Sequence, residues 1–274
     1  MKKTMIVTLA ITAALAMCSM SAPAAEKTGI LQIDGSTTVG PIADAFAEVF
    51  KKKYPDATFT VKKTGSGDGA AALIDGRCDI ATMSRYMKAE EIKKAVDKGV
   101  FPTAHAIAMD GVCVVVHPSN PVTNLTKQQI HDIYTGKITN WKQVGGPNAR
   151  IVLAGRTGAS GTYEFFKSSF LGGTRQSAKT KAFASNGMVR SYVARNRYAI
   201  GYVSIAFLNR TIRGLAINGV APTKKNALAG RYPHVRNLYF ITKTKPSGAT
   251  AKFINWCLSK SGQAIAAKEY MSIR

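Results

Sequence analysis

Short apolar runs alternate with helically spaced apolar positions along nearly the whole chain. The stretch Gly29 to Ile33 reads as a strand, and Ile42, Ala45, Phe46, Val49 and Phe50, following Pro41, recur on one face of a helix. The same succession repeats: Thr58 to Val61 as a strand, Ala70 to Ile74 as a helix, Asp79 to Thr82 as a strand, Ala89 to Lys98 as a charged, solvent-facing helix. Val112 to Val116 is an unbroken apolar run, which predicts a strand covered on both faces. Leu125, Ile130, Ile133 and Tyr134 then take helical spacing, and Ile151 to Ala154 returns to a buried strand that leads into a further helix. Gly187 to Arg195 reads as a helix, Ala199 to Val203 and Leu238 to Ile241 as strands, and Ala249 to Leu258 as a last amphipathic helix, while Asn218 to Pro233 reads as a loop. Strands and helices in alternation predict an α/β protein with mostly parallel sheets, whose ligands bind beyond the carboxyl ends of the strands.

Hydroxyl-rich turns fall at those ends. Asp34 to Pro41 carries Ser36, Thr37 and Thr38; Lys63 to Gly69 carries Ser66; the third, Arg156 to Thr162, carries Ser160, Gly161 and Thr162. A helix start presents free backbone N–H groups and the positive end of the helix dipole, so each turn is suited to an oxyanion. Arg156 adds a guanidinium fork beside the third turn. A capped turn without a ligand is the alternative reading of any one of them.

The beginning of the chain changes where the protein is expected. Lys2 and Lys3, the apolar run from Met5 to Met17, and Ala22-Pro23-Ala24 read as a secretory signal peptide cleaved after Ala24, which leaves 250 of the 274 residues for export to the periplasm. Cys18 offers lipid attachment as a second reading, against which stands the bulky Met17 before it. Charge then enters: 38 Lys and Arg stand against 15 Asp and Glu, and without Lys2 and Lys3 the net charge falls from +23 to +21. Such an excess draws anions of any size. Neither a zinc spacing nor a helix-turn-helix pattern supports nucleic-acid binding. Cys78, Cys113 and Cys257 allow one disulfide, with a buried thiol expected for at least one.

Gly35-Ser36-Thr37-Thr38, Gly65-Ser66-Gly67, Asp79 to Arg85 and Arg156 to Thr162, with Ala108 to Gly111, Thr135 to Trp141, Ala199 to Tyr202 and Ser261 to Gln263, together make the chain resemble the phosphate-binding proteins of phosphate-specific ABC importers. The resemblance implies a type II periplasmic-binding-protein fold, two α/β lobes with a ligand cleft between them. The first lobe would hold residues 25–110 completed by 236–274, the second residues 111–235. By the same analogy Thr37 would donate its hydroxyl and Thr38 its backbone N–H. Ser66 would donate from the second turn, Arg156 would pair with the charge, and Ser160, Gly161 and Thr162 would grip the anion from the second lobe. Ser84 stands where many members carry an aspartate that accepts the proton of hydrogen phosphate, and it can equally donate to sulfate. Arg85 would be a second cationic ligand or a salt-bridging rim residue. Gly158 stands where many members orient the arginine with an acidic side chain.

The resemblance implies a monomer that binds inorganic phosphate and meets ABC permease subunits, with no cofactor or metal. The four histidines, His105, His117, His131 and His234, are too scattered for a metal site, and Gly158-Ala159-Ser160-Gly161-Thr162 lacks the second glycine of a nucleophile elbow. A hydrolase is therefore disfavoured. Binding of other oxyanions or of extracellular polyanions is the alternative that the charge supports.

Overall fold

The structure, a computed structural model, describes residues 30–273. The expected leader over residues 1–24 and the Cys18 reading lie outside the described residues. The chain opens with three strand–helix units: β1 (Ile30–Gly35), α1 (Gly40–Lys53), β2 (Thr58–Lys62), α2 (Ser66–Ile74), β3 (Ile80–Met83) and α3 (Ala89–Asp97). In α1, Ile42, Phe46 and Phe50 recur every fourth residue and are buried, while Lys51, Lys52 and Lys53 sit in the last turn, where the dipole favours cations. There follow β4 (Thr103–Val116), β5 (Asn124–Leu125), α4 (Lys127–Thr135), β6 (Val152–Arg156), α5 (Gly161–Leu171), β7 (Lys181–Phe183), α6 (Asn186–Ala194) and β8 (Ala199–Ser204). Short β9 (Arg213–Gly214), β10 (Ala216–Ile217) and α7 (Lys224–Leu228) lead to β11 (Val235–Thr242), α8 (Gly248–Cys257) and α9 (Lys260–Glu269).

The strands run in the order β2-β1-β3-β11-β4-β8-β6-β7. The outer pairs are parallel, as the alternation predicts, but β11 is antiparallel to both β3 and β4, and β4 is antiparallel to β8. The long β4 explains this: up to Gly111 it pairs with β11, and from Val112 to Val116 with β8. Only the second part has the apolar run that marks a buried strand; the first carries Thr103, His105 and Asp110 among its apolar residues.

Apolar side chains gather in separate clusters on the two sides of this change of partner. Phe46, Phe50, Phe240 and Phe253 centre one, with Phe50 and Phe253 edge to face at 5.2 Å. Trp141, Tyr134, Phe166 and Tyr202 centre another, with Phe166 stacked on Tyr202 at 3.9 Å. The buried polar tips are satisfied: Trp141 Nε1 donates to the Tyr198 carbonyl at 2.9 Å and Tyr134 OH to that of Ala154 at 3.0 Å.

Several expectations are corrected. α2 begins at Ser66 and not at Ala70, a short helix α7 occupies part of the expected loop, and α9 follows the expected last helix. The inward positions of α9 are Gly262, Gln263 and Ala266, which present no apolar stripe to read. Cys78, Cys113 and Cys257 are all buried free thiols, so the allowed disulfide does not form among the described residues. No helix among these residues is long and apolar enough to cross a membrane.

Candidate anion-binding site

Three strand-to-helix turns converge where β1, β2 and β6 end. Gly35 has φ +133°, and a Cβ there would collide with the Thr82 carbonyl oxygen, so the first turn requires glycine. Ser36 then holds the turn, its Oγ accepting from the backbone N–H of Thr38 at 3.2 Å and of Val39 at 3.3 Å. Thr38 thus enters the site through its hydroxyl, and its expected backbone N–H is already engaged. In the third turn Ser160 caps α5, its Oγ accepting from Tyr163 N–H at 3.2 Å.

Hydrogen bonds knit the turns together. Thr38 Oγ1 and Thr162 Oγ1 lie 3.0 Å apart, Gly67 N–H donates to the Ala159 carbonyl at 2.9 Å, and Ser84 N–H donates to Ser66 Oγ at 3.2 Å. Gly161 packs so closely that a Cβ there would collide with Ser66 Oγ and lie 2.6 Å from Ser84 Oγ. Thr37, Thr38, Ser66, Ser84, Arg156, Ser160 and Thr162 are all buried. The structure therefore brings every expected site residue except Arg85 into one buried cluster.

Arg85 is engaged elsewhere. Its Nη1 and Nη2 donate to Glu91 at 2.7 and 2.6 Å, so its fork makes the salt bridge that was the alternative reading. The second guanidinium of the cluster is Arg236, on β11. Its Nη2 donates to Thr162 Oγ1 at 3.0 Å and to Asp110 Oδ2 at 3.0 Å. Asp110 also accepts from Ser204 Oγ at 2.6 Å, and Asn186, at the start of α6, donates to Thr38 Oγ1 at 2.9 Å while accepting from Ser204 N–H.

Arg156 is oriented without a carboxylate. Nε donates to the Phe183 carbonyl at 3.2 Å, and Nη2 to Ala184 O at 2.8 Å and Thr37 Oγ1 at 2.9 Å. The backbone at the end of β7 does what the acidic side chain missing at Gly158 was expected to do. Nη1 of Arg156 and Nη1 of Arg236 are both buried without a hydrogen-bond partner among the described residues. Burial holds the Arg156 pKa down to about 10, Arg236 pressing in the same direction against Tyr202, so it stays charged at neutral pH. Burial also lowers Arg236 against the opposing pull of Asp110, and raises Asp110 against that of Arg236. Two buried cations and one carboxylate leave a net positive centre among hydroxyl groups, and an oxyanion is its complement.

The chain matches the model of the PBP superfamily domain over residues 22–261. It is 33% identical over 247 residues to the phosphate-binding protein PstS of Bacillus subtilis, covering 89% of this chain and 81% of that one. The chain belongs to the PstS family of phosphate-binding proteins. A phosphate-bound structure assigned as the substrate-binding protein of a phosphate ABC transporter in Clostridium perfringens superposes with a TM-score of 0.84 at 34% identity, over 90% of this chain and 100% of that one. An ABC-type phosphate transport receptor from Vibrio cholerae gives 0.73 at 30% identity, over 89% and 100%. The fold is accordingly the two-lobed type II periplasmic-binding-protein fold of that family.

Sequence reasoning missed Arg236, Asp110 and Asn186 as members of the site. A signal for Arg236 existed: it is buried in phase with Leu238 and Phe240, two and four residues on, so an arginine sits on the core face of a strand. Asp110 is its register partner on β4. Asn186 had no comparable signal.

Proposed function

We propose that this PstS-family protein captures one inorganic phosphate in the cleft between its lobes and delivers it to an ABC importer. The observation that carries this reading is the pair of buried guanidinium Nη1 donors, on Arg156 and Arg236, inside a cluster of hydroxyls contributed by both halves of the sheet. The division at residues 110 and 236 belongs to the same reading: β4 changes partner between Gly111 and Val112, and β11 begins at Val235. Closure follows because donors on Thr37, Ser66 and Ser84 face those on Arg156, Ser160 and Thr162, and one anion satisfies both sets. Export by the residue 1–24 leader and action as a monomer at the permease complete the proposal.

The cleft is a binding site rather than a reaction centre. Ser160 Oγ is a helix cap, and the histidines lie with other partners: His234 with Ser169, His117 with Ser119, His131 with Asp132 and His105 with Thr242. Isothermal titration of anion-free protein with phosphate, at low and high salt, tests the reading. One-to-one binding that resists salt and weakens at least about a hundredfold in Arg156→Ala is expected. Binding that salt screens and Arg156→Ala leaves intact would instead point to polyanion attraction by the basic surface.

A further inference from the structure

The positive charge is divided unevenly along the chain. Residues 111–235 carry 17 Lys and Arg against two acidic residues, Asp132 and Glu164, whereas residues 25–110 and 236–274 together carry 19 against 13. Both acids of the first set are already engaged, Asp132 with His131 and Lys137, and Glu164 with Lys88 and Lys167. Lys179, Lys181, Arg195 and Arg197 make no ion pair or side-chain hydrogen bond among the described residues.

The fold gathers these four cations. β7 and β8 are both parallel to β6, so α6, which joins them, runs back toward the strand starts. Its end leads into Arg195 and Arg197, while Lys181 opens β7 and Lys179 stands just before it. Lys181 Nζ lies 4.9 Å from the centre of the Tyr192 ring, which places the two segments side by side. The phosphate turns lie at the opposite, carboxyl ends of the strands. Along α6 and its cap, Met188, Ser191, Tyr192 and Arg195 share one face, at spacings of three and four. With Phe183 they line a shallow groove of about 420 Å³, in which Met188 is 49% exposed.

Exposed apolar side chains on a helix face, flanked by unpaired cations, suit the boundary between lipid headgroups and acyl chains, where anionic headgroups supply the missing countercharge. Other acidic partners fit less well. A nucleobase needs an open ring face, and Lys181 Nζ already lies over Tyr192 and, at 5.8 Å, over Phe183. An acidic peptide adding to the sheet needs a long edge, and β7, last in the strand order, has three residues.

We infer that the face formed by α6 and β7 is a docking surface for an anionic phospholipid bilayer. Met188 enters the headgroup layer, and Lys179, Lys181, Arg195 and Arg197 meet lipid phosphates, each contributing about fivefold to partitioning. The phosphate cleft, at the other end of the strands, stays clear of the bilayer.

Flotation of the exported protein with vesicles of phosphatidylcholine, alone or with about one third phosphatidylglycerol, tests this at about 0.05 M and 0.5 M salt. Binding is expected to the phosphatidylglycerol vesicles alone, and at low salt. Lys179→Gln combined with Lys181→Gln and Arg195→Gln should weaken it at least about thirtyfold. Lys51→Gln combined with Lys245→Gln and Lys260→Gln removes the same charge from exposed positions elsewhere, and should leave binding within about threefold of wild type. Phosphate affinity, titrated in parallel, should be unchanged in both triple variants, which shows that they fold and keeps the test separate from the phosphate reading. Equal weakening by the two triples would reduce the attraction to net charge and overturn the inference. Absence of vesicle binding at low salt would overturn it as well, including the case in which soluble polyphosphate binds these residues instead.

Discussion

Arg236 and Asp110 face each other across two neighbouring strands and are almost wholly buried, at 7% and 2% exposure. Removing one partner leaves an uncompensated charge in the interior, whereas removing both leaves an apolar contact. Arg236→Met is therefore expected to lower unfolding free energy by about 3–5 kcal/mol, and Arg236→Met with Asp110→Leu to recover most of that loss. Urea denaturation measures both. A double variant as unstable as the single one would contradict the pair's assignment. The double variant should still bind phosphate at least about tenfold more weakly than wild type, because the cation is gone. At this scale much of the site was legible: the hydroxyl turns around Thr37, Ser66 and Thr162, with Arg156, form the cluster the sequence analysis expects. The sequence leaves Arg85 open between a ligand and a salt-bridging residue because its partner Glu91 lies in the next helix, a pairing that only the fold at β3 and α3 makes visible.

The start of α5 is the element on which closure depends. Gly161 is the first residue of that helix and lies against Ser66 and Ser84, which come from the other half of the sheet. A methyl group there is tolerated by the helix itself, since alanine is a better helix former than glycine. It is not tolerated by the closed cleft. Gly161→Ala should consequently keep or slightly raise thermal stability measured without phosphate, while phosphate affinity falls at least about tenfold. Unchanged affinity would mean that the two halves need not approach so closely. Elements with an apolar stripe or run, such as α1 and the second half of β4, could be read from sequence. α9 could not, because Gly262 and Gln263 form its buried face and Gln263 is held by hydrogen bonds to the carbonyls of Ile107 and Cys257. Nor could the first half of β4, whose strand pairing with β11 rests on a distant part of the chain.

For the whole molecule, the two sheet halves are joined, among the described residues, through β4 and β11, and the hydroxyl cluster lies where those strands carry Asp110 and Arg236. The crossing strands thus deliver a charged pair to the cleft as well as joining the lobes. At the rim, Lys88 and Glu164, from opposite halves, lie 3.2 Å apart in a half-buried ion pair. The central claim is that one oxyanion sits between the lobes, held by both buried guanidiniums. A crystal structure of the protein grown with phosphate tests it most directly. The account predicts one phosphate within hydrogen-bonding distance of Nη1 of Arg156 and Nη1 of Arg236, with Thr37, Ser66, Ser84 and Thr162 around it. A phosphate bound only at surface lysines, or in the cleft without contact to either arginine, would contradict it.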